Sequence, residues 1–405
     1  MHILVLDTIH GGREISGMYA DQGHVVEVVD VYTGTTPETA ENARTRTYDL
    51  IIAPVHLDPA HPLLQNRNTP IITHHNAVCQ LLGEKLPRPM IEITGARGKT
   101  TTAHALACLL PGNGILHTST GTYAYPTKKL LGKCSITPAS VLAAVQSANQ
   151  MQGWLVAEIS LGVTGAGDLA IITSPEDYTF AAGRKSAVKE KIASAKHAKR
   201  ILVAEGVVCD YENVIHIEDV ARCEGISCTV ELDGKRFTLT NPLFSLPPYR
   251  LPLMLAAAAA VILQVDPTPL NHFVALPGRM SISHEKDIII VDNANTGTNV
   301  TTTICAARYA RHCAGTSELT LVIGQVEGDG AVCEGFSPDQ ITGAIERVCP
   351  TKLIWVGRNP EPGSDASKLI QNRIDAHCTT LDEGRKAAIE KTGKGSIVLA
   401  VKTWR

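Results

Sequence analysis

The sequence predicts an α/β protein of three consecutive segments, each an open sheet whose strands alternate with helices. Three observations carry that prediction. Short runs rich in Ile, Val and Leu recur along the chain with helical stretches between them, the pattern of parallel α/β units. A Gly- and Thr-rich turn joins one such strand to an Ala/Leu-rich helix. A chain of 405 residues exceeds one compact core, and at roughly 100–200 residues per domain it needs two to four.

In the first segment, 1–88, Ile3–Leu6 reads as a buried strand, Asp7–Gly12 as a Gly-ending loop, and a helix follows to about Gly23. Val25–Val29, Asp49–Ala53 and Pro70–Thr73 are further strands. The loop matches a dinucleotide-binding turn only loosely, because the full Gly-x-Gly-x-x-Gly pattern is absent. The preferred reading is a Rossmann-like domain that grips another anionic or polar ligand at a strand end. Glu84-Lys85-Leu86-Pro87-Arg88-Pro89 has linker composition.

The second segment, 89–270, opens with the strand Met90–Thr94. Trp154–Ile159, Ala170–Thr173, Ile201–Val208 and Ile215–Ile217 follow as strands, and Thr229–Leu239 as a hairpin turning at Asp233-Gly234. The third segment, 271–405, repeats an open α/β sheet with strands at Ile288–Val291, Leu319–Ile323, Lys352–Val356 and Ser396–Val401.

Composition narrows the function classes. Hydrophobic residues make up 44% and charged residues 19%, which excludes global disorder. A net charge of −3 and 4% aromatic residues argue against a nucleic-acid platform or an anionic membrane as partner. The longest apolar run, Leu251–Leu263, is short and holds Pro252, so it reads as a buried helix rather than a membrane span. The 11 cysteines contain no Cys-x-x-Cys pair, which favours scattered reduced core thiols over disulfides or a zinc ribbon. No signal peptide is expected ahead of Ile3, and a cytoplasmic location follows.

The sharpest signal is Thr94-Gly95-Ala96-Arg97-Gly98-Lys99-Thr100-Thr101-Thr102 between the strand and the helix. Glycines let the backbone curl so that N–H groups converge, and the helix N-terminus adds its positive dipole. Lys99 supplies a full charge for terminal phosphates, and Thr100 a hydroxyl for Mg²⁺. A ligand-free turn explains this poorly, because three threonines are weak helix formers.

Gly95 and Gly98 stand only two residues apart, and Thr-Gly-x-x-Gly-Lys-Thr-Thr resembles the Mur ligase superfamily. The resemblance implies a three-domain architecture: a Rossmann-like N-terminal domain, a central phosphate-loop ATPase domain and a C-terminal Rossmann-like α/β domain. It implies activation of a carboxylate by ATP and Mg²⁺ through an acyl phosphate. Residues 94–101 then bind ATP. Ala157-Glu158-Ile159-Ser160 resembles the strand end whose Glu binds Mg²⁺, so Glu158 takes that role. Val188-Lys189-Glu190-Lys191-Ile192 resembles the stretch with a carbamylated lysine; Lys191 aligns best and Lys189 second, and a solvated Lys/Glu helix face remains an alternative. Gly278-Arg279 matches the interdomain hinge and Ile290-Val291-Asp292 the following strand end, which implies nucleotide contacts for Arg279 and Asp292. For Arg279 a structural interdomain salt bridge is the alternative. Ser174 and Tyr178 depart from the family's Asn and metal-ligating His; a neutral phenol is a weak Mg²⁺ ligand, so Glu176 or Asp177 are the substitutes for a second metal site.

Two further features narrow the resemblance. The amino-acid motif of the muramyl ligases is not evident around Gly324–Gly335, where Gly328-Asp329-Gly330 stands instead. The Asp7-Thr8-Ile9-His10-Gly11-Gly12 opening and the Asp292-Asn293-Ala294-Asn295-Thr296-Gly297 segment resemble a narrower group, the coenzyme F-430 synthetases, Mur-like enzymes of nickel-tetrapyrrole assembly. That resemblance implies phosphorylation of a propionate on a nickel seco-tetrapyrrole acid and attack by a carbon of the same macrocycle. An internal nucleophile needs no amino-acid pocket. His10, Gly11 and Gly12 are the substrate-binding candidates. The competing readings are an amide ligase with the same ATP machinery and a non-catalytic ATP-binding module.

Overall fold

The computed structural model describes residues 1–32, 37–65, 68–326, 336–358 and 373–403, without the side chains of 37–39. Gly328-Asp329-Gly330 and the terminal Trp404-Arg405 lie outside the described residues. The chain divides into two compact units. One comprises Met1–Ser245 with Tyr249–Phe273, the other Leu246–Pro248 with Val274–Arg405.

The first unit opens with a parallel sheet of β1 (His2–Leu6), β2 (Val25–Val29), β3 (Leu50–Ala53) and β4 (Ile71–Thr73), in the order β2-β1-β3-β4. Successive side chains of a strand face opposite ways, and both faces are covered. Ile3, Val5 and Ile52 enter one core cluster while Leu4, Leu6 and Ile51 enter another. This explains why β1 is continuously apolar rather than alternating.

The larger sheet of this unit holds β5 (Met90–Thr94), β6 (Gly114–Thr118), β7 (Gly121–Tyr125), β8 (Lys129–Gly132), β9 (Trp154–Glu158) and β10 (Leu169–Ile172). Beyond the short antiparallel ribbon β11 (Thr179–Phe180) and β12 (Lys185–Ser186), it gains β13 (Ile201–Val203) and β14 (Val214–His216). The order is β14-β13-β10-β5-β9-β6-β7-β8, parallel except for the β6-β7-β8 meander. Met90, Ile115 and Leu155 share the core cluster of Ile3 and Val5, so the two sheets pack through one apolar layer. β5 is central, with β9 on one side and β10 on the other. The carboxyl ends of such neighbouring parallel strands form the crevice where ligands bind in open α/β sheets.

A three-stranded antiparallel sheet, β15 (Ala221–Glu224), β16 (Ser227–Leu232) and β17 (Lys235–Thr240), turns at Asp233-Gly234 as expected, with one strand more than the hairpin reading. The expected strand Ile201–Val208 stops at Val203, because the chain turns at once and Val207 N–H bonds Ala204 C=O. The apolar run around Pro252 is a buried helix, Pro247–Ile262. Among the described residues no helix is long and apolar enough to cross a membrane. The described cysteines are all free, but Cys108, Cys134 and Cys349 are exposed rather than in a core.

The second unit is one sheet of β18 (Ser281–Glu285), β19 (Ile288–Asp292), β20 (Leu319–Gln325), β21 (Lys352–Gly357), β22 (Ala376–Cys378) and β23 (Gly395–Lys402), ordered β18-β19-β23-β20-β21-β22. Only β18 runs antiparallel to its neighbour. β23 is buried along its whole length, as a central parallel strand must be.

Candidate active site

The site is built at the carboxyl ends of β5, β9 and β10. β5 delivers Thr94, Gly95–Gly98 form the loop, and the helix Lys99–Ala107 begins beside it. Gly95 has φ +151°, and a Cβ there would stand 2.1 Å from Thr173 Oγ1. No side chain fits between the loop and the end of β10, which is why this position needs glycine. Thr173 and Ser174 then fasten the loop. Thr173 Oγ1 donates to the carbonyls of Thr94 (3.2 Å) and Arg97 (2.5 Å). Ser174 Oγ accepts from the N–H groups of Ala96 (2.9 Å) and Arg97 (3.4 Å). Ser174, a departure from the family pattern, thus holds the loop backbone.

Lys99 Nζ donates to Gly95 C=O at 3.0 Å and lies 3.9 Å from Glu158 Oε1. The buried Glu158 carboxylate ends β9 and accepts from Thr100 Oγ1 (2.9 Å) and Ser119 N–H (3.1 Å) through Oε2. Thr100 Oγ1 is also 3.3 Å from Ser119 Oγ. One lysine ammonium, one carboxylate and two hydroxyls therefore converge within a few ångströms. Thr94 Oγ1 and Thr102 Oγ1 are buried with no hydrogen-bond partner among the described residues, and Thr101 is buried beside them. Arg97 is exposed and ion-paired with Glu176.

Lys191 lies on the helix Ala187–Ala195 with 1% of its surface exposed, and its Nζ has no hydrogen-bond partner among the described residues. The amine sits 4.9 Å from the centre of the Tyr178 ring. Burial and then the nearby Lys99 charge push its pKa down to about 8, against the pull of Asp177 and Glu176. Lys189 on the same helix is exposed. A solvated face describes Lys189, not Lys191. Asp177 accepts from Ser186 Oγ (2.7 Å) and Val188 N–H (3.0 Å), bonds that hold its pKa below the usual carboxylate range. It is occupied in fixing the start of that helix.

His10 is placed by a buried carboxylate. Asp7 accepts from Ile9 N–H (2.6 Å), His10 N–H (2.9 Å) and His10 Nδ1 (3.1 Å). Gly12 starts the helix Gly12–Asp21 so close to Asp7 that a Cβ would reach 1.8 Å from its carbonyl oxygen. Gly11 is buried as well, with φ +98° and a Cβ position only 2.2 Å from Ala139 Cβ, so packing accounts for both glycines. Around His10 lie the rings of Tyr32 and His56, at centroid distances of 5.2 and 4.6 Å. Sequence reasoning did not single out Tyr32 or His56.

Lys99, Thr100 and Glu158 are thus brought together in the first unit. Arg279 and Asp292 lie in the second. Arg279 is half-buried in the turn closed by its N–H to Leu276 C=O, and Asp292 Oδ1 accepts from Ala294 N–H at 3.0 Å. Ser119 was missed; its only sequence signal is the hydroxyl run Thr118-Ser119-Thr120 at a strand end. Among the described residues no group of three or more His, Cys, Asp or Glu is arranged to hold a metal ion by itself.

Comparison with known proteins bears on the fold and the family likeness. Residues 282–403 match the family model described as the C-terminal domain of the coenzyme F430 synthetase CfbE. A coenzyme F(430) synthetase of Methanosarcina acetivorans is 29% identical over 477 aligned residues, covering 100% of this chain and 98% of the relative. One from Methanocaldococcus jannaschii is 26% identical over 239 residues, covering 53% of this chain and 55% of the relative. The solved structure of the MurF ligase of Thermotoga maritima in complex with ADP superposes with a TM-score of 0.51 at 17% identity, covering 90% of this chain and 88% of that one. The chain has the Mur ligase fold, and its family likeness is to the coenzyme F430 synthetases.

Proposed function

We propose that this protein is an ATP-dependent ligase that activates a propionate of a nickel seco-tetrapyrrole acid and closes a carbocyclic ring on the same molecule. One observation carries the phosphoryl chemistry: Lys99, Thr100, Ser119 and Glu158 converge at the mouth of a glycine loop. The relatives' name carries the substrate class.

The donors present suit both ATP and Mg²⁺. The loop N–H groups, the helix N-terminus and Lys99 match terminal phosphates. Thr100 and Glu158 offer the hard oxygens that Mg²⁺ takes, one carboxylate with the remaining positions left for phosphate and water. When bound, Mg²⁺ neutralises charge on the phosphates. Lys99 is placed to let go of Gly95 C=O and follow the charge of the transferred phosphoryl group. Lys191, close to Lys99, adds a second nitrogen whose protonation the site controls, and a carbamate formed on it with CO2 would turn its charge from positive to negative.

In the proposed reaction a propionate oxygen attacks the γ-phosphorus and ADP leaves. A macrocycle carbon, losing its proton, then attacks the acyl carbon and phosphate leaves, so the pigment loses one water in total. Segment 1–88 is proposed to receive the macrocycle, 89–270 to activate it, and 271–405 to contribute the nucleotide contacts Arg279 and Asp292. The test is purified protein with Mg-ATP and the nickel seco-tetrapyrrole acid, followed by ADP release and pigment mass. Pigment-dependent ADP release with an 18 Da mass loss (roughly one water), with no amine added, is the expected result. ADP release only on addition of an amine points to amide ligation instead.

A further inference from the structure

The first sheet carries a cluster of rings that the phosphoryl chemistry does not use. Tyr32 stacks on His56 at 5.5 Å with 21° between the planes, and His10 meets both rings edge-on. Within electrostatic reach of His56 and Asp7 stands His74, at the start of the helix His74–Leu82, with 2% of its surface exposed. His56 Nε2 and His74 Nε2 are both sealed from solvent, and neither has a hydrogen-bond partner among the described residues. Asp7 does not answer them through a hydrogen bond in the structure; its recorded side-chain bonds run to Ile9 and His10. The outer face is different: Tyr32 is 40% exposed, and so is 39% of the His10 side chain.

Buried polar atoms in folded proteins are nearly always paired, so two orphans side by side call for an explanation. Burial holds both imidazoles neutral by pushing their pKa values down to about 4. The Leu6 backbone opposes that burial at His74, and a neutral imidazole whose proton faced it would keep Nε2 as an acceptor without a donor. A ligand suited to this place has a broad conjugated face for Tyr32 and His10 and polar N–H or O–H groups at its edge.

We infer that this cluster is the seat of the macrocycle: Tyr32 and His10 stack against its conjugated face, and His56 and His74 present Nε2 to a polar group at its edge. This rests on the tetrapyrrole reading above. It assigns His10 a ring contact rather than a bond through Nδ1, which Asp7 already holds.

The test is an equilibrium titration of the nickel seco-tetrapyrrole acid into the full chain, read by pigment absorbance, for the wild type, Tyr32→Ala and His56→Phe. Mg-ATP binding is measured alongside. His56→Phe keeps a ring but removes the nitrogens, and Tyr32→Ala acts at a surface position, so a folding defect in one leaves the other informative. Each variant is expected to bind the pigment about tenfold more weakly, with ATP binding unchanged. Affinities of both variants within about twofold of a wild type that binds saturably overturn the seat. A wild type that shows no saturable pigment binding overturns the tetrapyrrole reading and the seat together. Binding that weakens in the variants, without pigment-dependent ADP release in the wild type, supports the seat and sinks the proposed reaction.

Discussion

The phosphate loop and the ring cluster lie in the same compact unit, yet they are put together in opposite ways. The loop and its lysine come from consecutive residues, while Glu158, Ser119, Thr173, Ser174 and Lys191 arrive from elsewhere. The ring cluster draws Asp7, His10, Tyr32, His56 and His74 from the ends of separate strands of one parallel sheet. The first is polar and internally saturated at its carboxylate. The second leaves two nitrogens unsatisfied. On the proposed reading, the loop meets phosphate with backbone N–H groups and one lysine, whereas the ring cluster meets a macrocycle with side chains that the fold gathers.

The largest expected effect breaks the comparison from the loop side. Lys99→Ala removes the charge beside Glu158, and ADP release should fall by about three orders of magnitude. Pigment affinity should stay as it is, because Lys99 takes no part in the ring cluster. Turnover near the wild-type rate refutes the phosphate-loop assignment. A joint loss of pigment binding would show that the two regions are not separable.

Acid tests the other side. His74 and His75 are buried neutral, each with its pKa pushed down to about 4 chiefly by burial. Unfolded, each titrates at its ordinary value near 6.5. Between those values the unfolded chain binds more protons, so stability falls as the pH falls through 6.5 towards 4 and is fully present above 6.5. Each histidine contributes up to about 3 kcal/mol to that fall. Denaturant midpoints measured from pH 7 to pH 4.5 should drop steeply, and His75→Asn should flatten the slope. A midpoint that does not respond to pH over this range contradicts the burial of both rings.

Glu158→Gln sharpens the loop side. The amide keeps an acceptor for Thr100 and Ser119 but loses the charge, and the Mg²⁺ concentration for half-maximal turnover should rise about 10- to 100-fold. An unaltered Mg²⁺ titration removes Glu158 from the metal site.

The same contrast explains what was legible in the sequence. Ile3–Leu6 of β1 and Trp154–Ala157 of β9 are unbroken apolar runs because parallel strands are covered on both faces, and β5 interrupts its run only with the buried Glu92 before it ends at Thr94, so such strands announce themselves. β6, β7 and β8 mix Gly, Thr, Tyr, His and Lys with no clean alternation, because they leave the parallel core as a meander, and the sequence reading contained none of them. Lys99, Thr100 and Glu158 were legible from a short motif and one strand end. Ser119 was not, since its role exists only because β6 ends beside β9. His10 drew attention by its place in the first loop, but Tyr32, His56 and His74 become neighbours through sheet order alone. No spacing in the chain encodes that.

Ser174 gives the smallest and most local test. Its hydroxyl accepts two loop N–H groups, and in the resemblance an amide-bearing residue stands at this position. Ser174→Ala leaves those N–H groups without this acceptor, and the loss of one such bond is worth about 1 kcal/mol. If they turn towards phosphate instead, ATP affinity changes by less than about fivefold. If the loop loses its shape, Thr173 Oγ1, through the Thr94 and Arg97 carbonyls, and Lys99, through the Gly95 carbonyl, are left to hold it, and ATP affinity falls further. Comparing Ser174→Ala with Thr173→Val by ATP titration separates the two. The expected order is a small loss for Ser174→Ala and a larger one for Thr173→Val, because Thr173 fastens both ends of the loop and Ser174 only its middle. The reverse order would mean that the N–H groups, not the carbonyls, set the loop's shape.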